Sequence, residues 1–244
     1  MPVHGLALLE GELYVLHDTG TVHVYNTTTY TESRRFELPP APTPPEDNYY
    51  IDMASSIPDR CIYILLYSPG QVYRVDPYGN ITMTWTVGYD GQGVSVTPEQ
   101  NVLVAAATSG KIILFTPGGH WLNETLLNQQ HYLERAIQLS SGRFVVCSST
   151  KVFVAENNGT IVYSRPHRDG LSHLVVDSDG FALVPDTKGN QVLVLSSDLR
   201  NVRNLALTRT RISKPFRLLL GVNNTLFLGN NDPYSVIVFD HCRW

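Results

Sequence analysis

The sequence predicts an all-β fold, a six-bladed β-propeller, on the basis of two observations. Groups of short apolar runs separated by turn residues recur six times along the chain. These groups begin about 40 residues apart, which is the spacing of four-stranded propeller blades. Their starting residues are Gly5, Asp52, Gly93, Ala136, His173 and Arg217. Six copies of one blade pattern therefore predict six blades.

The clearest copy lies between Ser172 and Leu199. Three nearly continuous apolar runs, at 174–176, 181–184 and 192–195, are typical of strands that are buried on both faces. The turn at 177–180 ends in Gly180, which can take the positive φ that a hairpin requires. Residues 187–190, Thr-Lys-Gly-Asn, form the next turn signal. This segment predicts one blade in detail.

The other copies predict the remaining blades of a single domain spanning 1–244. Blade boundaries are expected near 4–47, 48–90, 91–134, 135–170, 171–213 and 214–244. Predicted strands are 5–9, 12–16, 22–25 and 34–38 in blade one; 52–55, 61–67, 71–75 and 81–87 in blade two; and 93–96, 102–107, 111–115 and 122–126 in blade three. Blade four has 137–139, 144–148, 152–155 and 161–164; blade five has 174–176, 181–184, 192–195 and 204–207; and blade six has 218–220, 226–228 and 236–239.

Two segments fall outside the regular blade pattern. The proline-rich run at 39–47 cannot join a central ladder, because proline lacks a donor and fixes φ. We predict a surface loop there, although such a run is also typical of a polyproline ligand for an SH3-type partner. Too few residues follow Phe239 for an outer strand with its turn. Blade six is therefore expected to be incomplete, with an edge that invites pairing with another chain.

Composition narrows the functional classes. The net charge of −4 gives no general attraction for nucleic acid or anionic membranes. No stretch reaches the roughly 18 apolar residues of a membrane span, and the amino terminus lacks a leader pattern. We expect a cytoplasmic protein without a membrane segment, with Cys61 and Cys147 as small buried residues. Five Asn-x-Thr sequons, at Asn26, Asn80, Asn123, Asn158 and Asn223, keep an extracellular location open.

The repeat resembles the NHL repeat of six-bladed propellers. The turn Asp-Ser-Asp-Gly at 177–180 matches the acidic and glycine turn between the first two strands of that repeat. The stretch Val-Pro-Asp-Thr-Lys-Gly-Asn-Gln-Val at 184–192 resembles the Val-Ala-Asp, Asn and Arg-Val pattern that follows, with Pro185 and Gln191 as departures. The chain is similar to the NHL regions of invertebrate tripartite-motif-like proteins. The resemblance implies an interaction module, and by analogy the substrate-recognition part of a ubiquitin ligase.

The first residue of each inner strand is expected to face the mouth of the central channel. Asp52, His173 and Arg217 would then lie close together despite their separation in sequence. A guanidinium, a carboxylate and an imidazole could bind a zwitterionic ligand or an acidic peptide terminus. The same three groups could equally form a structural ion pair with a hydrogen-bonded histidine.

An enzyme with its site in the channel is an alternative, and one NHL-like group, the peptidylglycine lyases, binds zinc through inner-strand histidines. A catalytic zinc normally needs three protein ligands. Here His173 is the only histidine at an aligned position, and His17 and His23 belong to neighbouring strands of blade one. We therefore assign no catalytic residue, expect no metal and no cofactor, and regard an enzyme as the weaker hypothesis.

Protein and RNA partners remain as hypotheses for binding. RNA binding, which some NHL propellers perform, would use the basic residues of blades five and six: Arg200, Arg203, Arg209, Arg211 and Lys214. The favoured hypothesis is a protein partner bound by loops on a rigid scaffold. The exposed aromatic residues predicted to contact that partner are Tyr49, Tyr50, Tyr78, Tyr89, Trp121 and Tyr234.

Overall fold

The chain folds as the predicted six-bladed β-propeller. A computed structural model describes residues 2–17, 19–40, 50–67, 70–128, 132–205, 212–222 and 225–240. Within these ranges the strands form six antiparallel sheets in chain order, of which the first five have four strands and the sixth has three. Each sheet is a meander, because consecutive strands are hydrogen-bonded neighbours. None of the described segments forms a helix long and apolar enough to cross a bilayer.

The strands of each blade run from the channel to the rim. Blade one has β1 (Val3–Leu9), β2 (Glu12–His17), β3 (Thr21–Asn26) and β4 (Glu32–Glu37); blade two has β5 (Tyr50–Ser56), β6 (Cys61–Leu66), β7 (Gln71–Val75) and β8 (Ile81–Thr86). Blade three has β9 (Gly91–Val96), β10 (Val102–Ala106), β11 (Lys111–Phe115) and β12 (Trp121–Leu126); blade four has β13 (Leu133–Gln138), β14 (Phe144–Ser148), β15 (Lys151–Ala155) and β16 (Ile161–Pro166). Blade five has β17 (Val175–Val176), β18 (Ala182–Asp186), β19 (Gln191–Leu195) and β20 (Val202–Asn204); blade six has β21 (Pro215–Leu220), β22 (Leu226–Asn231) and β23 (Tyr234–Phe239).

The core lies between the blades rather than inside any one of them. Every residue of β6, β10, β14 and β18 is buried, as expected for strands covered on both faces. The outer strands are largely exposed and turn only part of their residues inward, such as Phe36 and Trp85, which pack on the next blade. Burial of apolar surface between neighbouring sheets therefore stabilises the whole ring at once.

The turn chemistry follows the sequence prediction with one addition. Gly180 has a φ of 83°, as the hairpin at 177–180 requires. In the turn at 187–190, for which the sequence singled out no left-handed residue, Asn190 has a φ of 53°. Asparagine is among the few other residues that adopt this conformation readily. Both turns connect the strands that the sequence placed on either side of them.

Each inner strand begins with a β-bulge. In blade one Val3 pairs with His17 but Gly5 pairs with Leu16, so His4 is an extra residue. Blades two, three, four and six show the same shift at the start of their inner strands. Blade five shows the same shift of one residue, between the bridge Leu171–Asp186 and the pair Val175–Leu183. A bulge re-aims the residues beside it, which here changes what each strand presents to the channel.

Two predicted strands are displaced in the structure. The inner strand of blade four begins at Leu133 instead of at residue 137, where its apolar run was predicted to start. The outer strand of blade five is Val202–Asn204 instead of 204–207. Blade six has three strands among the described residues, as predicted. Residues 41–47 of the proline-rich run lie outside the described residues.

Glycine at position 159 is expected to be the most demanding turn residue of blade four. Gly159 has a φ of 85°, and a Cβ there would lie 2.0 Å from the carbonyl oxygen of Leu126 in blade three. Gly159→Ala should lower the free energy of unfolding by about 2–4 kcal/mol, from left-handed strain and overpacking together. Gly142→Ala is the matched control, because Gly142 has a φ of 83° but no neighbour within 4 Å. Equal losses in urea titrations of the two variants would contradict the interblade contact.

Candidate functional site

Six residues that directly follow the bulges form a layer across the channel. They are Gly5, Asp52, Gly93, Arg135, His173 and Arg217. The sequence comparison had placed Ala136 at this position in blade four, and the structure corrects it to Arg135, because the bulge at Glu134 shifts the register by one residue. Side chains from non-adjacent blades meet in this layer, so it lies at the axis of the ring. We call Asp52, Arg135, His173 and Arg217 the channel network.

Asp52 is the centre of the channel network. It is 1% exposed, and its Oδ2 accepts hydrogen bonds from the Arg135 guanidinium and from the backbone N–H of Val94, at 2.9 Å for the latter. Its Oδ1 lies 3.7 Å from Nε2 of His173. Burial by itself would raise the pKa of Asp52, but the charge of Arg135, with smaller contributions from His173 and Arg217, lowers it to about 2. Asp52 is therefore a carboxylate at neutral pH.

His173 is held as a neutral imidazole. The backbone N–H of Leu218 donates to its Nδ1 at 3.4 Å, which leaves the ring proton on Nε2, the nitrogen that faces Asp52. Burial, and then the charge of Arg135, lower the pKa of His173 to about 3 against the opposing effect of Asp52. Both ring nitrogens face protein groups, and the residue is 4% exposed.

Arg217 connects four blades through backbone carbonyls. Its Nε donates to the carbonyl of His4 in blade one at 2.6 Å, and its Nη2 donates to that of Ile51 in blade two at 2.9 Å. Its Nη1 donates to Ser172, which precedes His173, at 3.0 Å and to Phe216 at 3.2 Å. The guanidinium also lies over the ring of Phe216, 4.1 Å from its centroid. A buried arginine used in this way closes the ring where the last blade meets the first.

Glycine occupies the two remaining positions of the layer because the blades meet closely there. A Cβ on Gly93 would lie 2.5 Å from the carbonyl oxygen of Glu134 and 3.1 Å from Cβ of Arg135. A Cβ on Gly5 would lie 2.7 Å from the side chain of Met53. The absent side chain of Gly93 therefore leaves room for Arg135, and that of Gly5 leaves room for Met53.

A second, more accessible set of residues lies around the channel network. We call His4, Gln92, Tyr132, Glu134 and Phe216 the mouth surface; all but Tyr132 are the extra residues of the bulges. Gln92 donates to Glu134 at 3.1 Å, and the hydroxyl of Tyr132 donates to Gln92 at 3.3 Å. The rings of His4 and Phe216 meet edge to face at 6.0 Å.

Glu134 is the most unusual group of the mouth surface. It is half-buried, and no salt bridge joins it to a cation in the part of the chain that the structure describes. Burial raises the pKa of Glu134, although the charge of Arg217 and the hydrogen bond from Gln92 act in the opposite direction. A half-buried carboxylate that forms no salt bridge with the described residues gains most from a further neighbour that donates hydrogen bonds or carries positive charge.

The aromatic residues predicted to contact a partner are distributed over both faces. Tyr89 lies in the connection from β8 to β9 on the mouth face, where Lys111 donates to its hydroxyl at 2.6 Å, and Tyr234 begins β23 on that face. Tyr78 and Trp121 are 73% and 60% exposed, but they lie at turns between third and fourth strands, on the opposite face. Tyr49 lies outside the described residues.

The predicted exposure of Tyr50 is wrong. Tyr50 is 2% exposed, its ring packs against Gly20, and its hydroxyl donates to the carbonyl of Pro39 at 2.6 Å. The missing side chain of Gly20 in blade one provides the space for this ring from blade two. Tyr50 therefore belongs to the interblade core.

The basic residues predicted for RNA are dispersed. Arg200 lies in the turn between β19 and β20, 3.6 Å from Asp198, and Arg203 lies on β20 at the rim. Lys214 precedes β21 on the mouth face and lies 3.5 Å from Asp232. Arg209 and Arg211 lie outside the described residues. The described basic residues thus reach from one face of the disc to the other.

The described histidines and cysteines do not form a metal-binding cluster. Within the described ranges, no three His, Cys, Asp or Glu side chains are grouped as a metal site would require. His17 and His23 contact each other edge to face at 5.1 Å. Cys61 and Cys147 are buried free thiols, as predicted, and burial raises the pKa of Cys147. A buried thiol of raised pKa is chemically inert.

Comparisons with known proteins support the fold. No protein-family model and no curated protein matches the sequence. The chain is similar to a solved protein of unknown function from Bacteroides caccae, with a TM-score of 0.77 and 14% identity over 95% of this chain and 91% of that one. It is similar to virginiamycin B lyase from Staphylococcus aureus, with a TM-score of 0.71 and 12% identity over 98% and 84%. The WD40 propeller domain of Doa1 gives a TM-score of 0.66 and 12% identity over 98% and 82%. Identities this low establish a shared propeller architecture.

Sequence reasoning brought Asp52, His173 and Arg217 together and missed Arg135 and Glu134. A consistent signal for Arg135 was present, because the layer residue directly precedes the apolar run in every blade. Glu134 carried no such signal, since an extra residue in a bulge has no fixed place in a period-two pattern. The ligand-binding role assigned to Asp52, His173 and Arg217 stays a prediction.

Proposed function

We propose that this chain is a noncatalytic interaction module that binds a protein partner on its mouth surface. The observation that carries the proposal is Glu134, a half-buried carboxylate without a salt bridge among the described residues, held in place by Gln92. A lysine, an arginine or an amine terminus of a partner would complete its hydrogen bonding. The exposed rings of Tyr132 and Tyr89 on the same face would supply apolar contact area.

The channel network acts as the rigid support for this surface. Arg217 donates to four backbone carbonyls, and His173 has both nitrogens directed at protein groups. Groups that are already hydrogen-bonded inside the protein are poorly placed to bind a ligand as well. Two network atoms, Asp52 Oδ1 and Arg135 Nε, have no hydrogen bond among the described residues, but both are buried. A lyase-type or hydrolase-type site in the channel, the enzymatic alternative, would need one of these groups to face a substrate. We therefore place the partner on the outer layer.

The proposal also covers the kind of protein and the class of partner. The NHL resemblance suggests the substrate-recognition part of a tripartite-motif-like ubiquitin ligase, acting in the cytoplasm. The alternative is RNA binding through the basic residues of blades five and six. The dispersion of Arg200, Arg203 and Lys214 over both faces and the rim favours the protein partner, because a nucleic-acid backbone needs a continuous basic track.

Site-specific photo-crosslinking in native extract tests the proposal. A benzoyl-phenylalanine is placed at Tyr89 or Tyr132 on the mouth face, which are 38% and 41% exposed. The controls are Tyr78 and Trp121 on the opposite face, which are more exposed, at 73% and 60%, and therefore at least as accessible to a partner. We expect one protein species to crosslink from the two mouth positions, with or without RNase, and no such species from the controls. Crosslinks from the control positions alone would contradict the assignment of the face, and an adduct that disappears with RNase would favour the RNA alternative.

A further inference from the structure

Among the described residues, the sixth blade has one strand fewer than the other five. In blades one to five the third strand is paired with a fourth, whereas in the described part of blade six the sheet ends at β23. The other third strands each bury at least two residues, as in β3 and β19. No residue of β23 is fully buried, although its side chains are as apolar as theirs. The edge of β23 therefore lacks the cover that the fold provides elsewhere.

A groove lies beside β23, at the position that the fourth strand takes in the other blades. It has a volume of about 280 Å³, which is that of roughly nine water molecules in the liquid. Blade one contributes Val15, Tyr25 and Tyr30 to one wall, and β23 contributes Tyr234, Val236 and Val238 to the other. Tyr234 is thus the predicted partner-binding aromatic residue that lies in this groove. The walls are largely apolar, so burial of an apolar side chain here is favourable.

Blades one and two show what normally fills this position. Phe36 on β4 packs over Gly79 of blade two, and Trp85 on β8 packs over Gly119 of blade three. Both glycines have positive φ and lie in the turn between the third and fourth strands. The corresponding left-handed residue of blade one is Tyr30, with a φ of 55°. Tyr30 is 45% exposed, and it faces the groove.

We propose that this groove binds an extended segment of a partner protein, which adds to blade six as its fourth strand, antiparallel to β23. Strand addition of this kind takes its affinity from main-chain hydrogen bonds and its specificity from alternate side chains. The segment would be about as long as β4 or β8, which have six residues each. Alternate large apolar side chains of the bound segment would face Tyr25 and Val236. They would take the place that Phe36 and Trp85 take in blades one and two.

A negative charge at one end of the groove indicates which type of residue the bound segment begins with. A fourth strand antiparallel to β23 starts beside Asp240, which is exposed and has no salt bridge among the described residues. The Tyr30 hydroxyl forms a hydrogen bond with the Asp240 carboxylate, so Asp240 lies beside the groove wall that Tyr30 lines; burial, and then this carboxylate, raise the pKa of Tyr30. A basic first residue in the bound segment would complement Asp240.

A second copy of this chain fits the groove less well. Pairing of β23 with its own copy would bring two more valines, Val236 and Val238, towards blade one, where the filled blades use phenylalanine or tryptophan. The longer side chains of β23, Ile237 and Phe239, pack against the core shared with blade five. The site is separate from the mouth surface.

A labelled synthetic peptide tests the groove directly. The probe is Lys-Ile-Thr-Met-Thr-Trp-Thr-Val, a lysine followed by the outer-strand residues 81–87 of blade two. We expect fluorescence anisotropy to give a Kd of roughly 10–100 μM for the wild-type chain. Val236→Glu should weaken binding at least about tenfold, whereas Val162→Glu on the outer strand of blade four should leave it unchanged. A probe methylated at alternate backbone nitrogens should not bind, because it cannot form the ladder.

Amide hydrogen exchange provides a second readout that needs no variant. The peptide should slow exchange of β23 amides and leave β19, which already has an outer strand, unaffected. Equal binding of the methylated probe, or no protection of β23, would overturn the proposal.

A dimer of the wild-type chain that Val236→Glu dissociates, together with failure of the peptide to bind, would assign the groove to a second copy instead. Deletion of residues 241–244 should leave the peptide affinity unchanged, and a large increase would overturn the proposal in favour of the chain's own last residues.

Discussion

Replacing Arg217 by alanine is expected to lower the free energy of unfolding by about 3–5 kcal/mol, because several buried carbonyls lose their donor together. The carbonyls belong to blades one, two, five and six, so the loss falls on the closure of the ring. Arg217→Lys keeps the charge but not the planar set of donors, and it should cost about half as much. Urea titration followed by tryptophan fluorescence measures both.

The matched control for this series is Arg203→Ala. Arg203 is exposed on the outer strand of blade five, and its removal should change stability by no more than about 0.5 kcal/mol. An Arg217→Ala variant as stable as Arg203→Ala would contradict the structural role assigned to the channel network. It would also reopen the hypothesis that Arg217 is available to a ligand.

Acid is expected to destabilise the propeller through His173. The unfolded chain protonates this residue below about pH 6.5, whereas the folded protein does not until about pH 3. Stability from this group is therefore fully present above pH 6.5 and is lost as the pH falls towards 3. The slope is about 1.4 kcal/mol per pH unit, which sums to on the order of 4–5 kcal/mol. Asp52, with a folded pKa of about 2, adds a further loss as its unfolded form protonates below about pH 4.

The measurement compares unfolding free energies between pH 7 and pH 4 in wild type, His173→Gln and His120→Gln. His120 is exposed and serves as the control for removal of a histidine. The slope of the unfolding free energy against pH should be smaller in His173→Gln than in the other two proteins, by the amount that corresponds to about one bound proton. Where that variant is too unstable to titrate, the His173 ring in wild type should show no protonation by NMR above about pH 4. A ring that titrates near pH 6 would contradict the buried neutral imidazole.

The fold was predictable because its signals are local and repeated. Apolar runs of strand length, turn residues such as Gly180, and a period near 40 residues occur in several copies, so errors in one blade do not change the architecture. The outer strand of blade five was displaced because Val202 to Asn204 carries little apolar pattern. The three strands that the described residues show in blade six were predictable, because three apolar runs of strand length lie between Arg217 and Asp240.

The site was only partly predictable because it depends on contacts between distant segments. Asp52 and Arg135 are 83 residues apart, and the bulge at Glu134 moves the inward position by one residue. Tyr50 was taken as exposed because nothing near it in sequence shows that Gly20 opens a space for its ring. Burial of a charged layer and exposure of the residues around it follow from this packing, which periodicity alone does not encode.

Under the proposed function, the mouth surface binds a protein partner while the channel network beneath it holds the ring together. The most direct test is the affinity of the crosslinked partner for wild type, Glu134→Gln and Tyr78→Ala. We predict that Glu134→Gln weakens binding by about tenfold or more while its urea midpoint stays close to that of wild type, and that Tyr78→Ala binds normally. Normal binding by Glu134→Gln, together with a loss in Tyr78→Ala, would contradict the claim and move the interface to the opposite face.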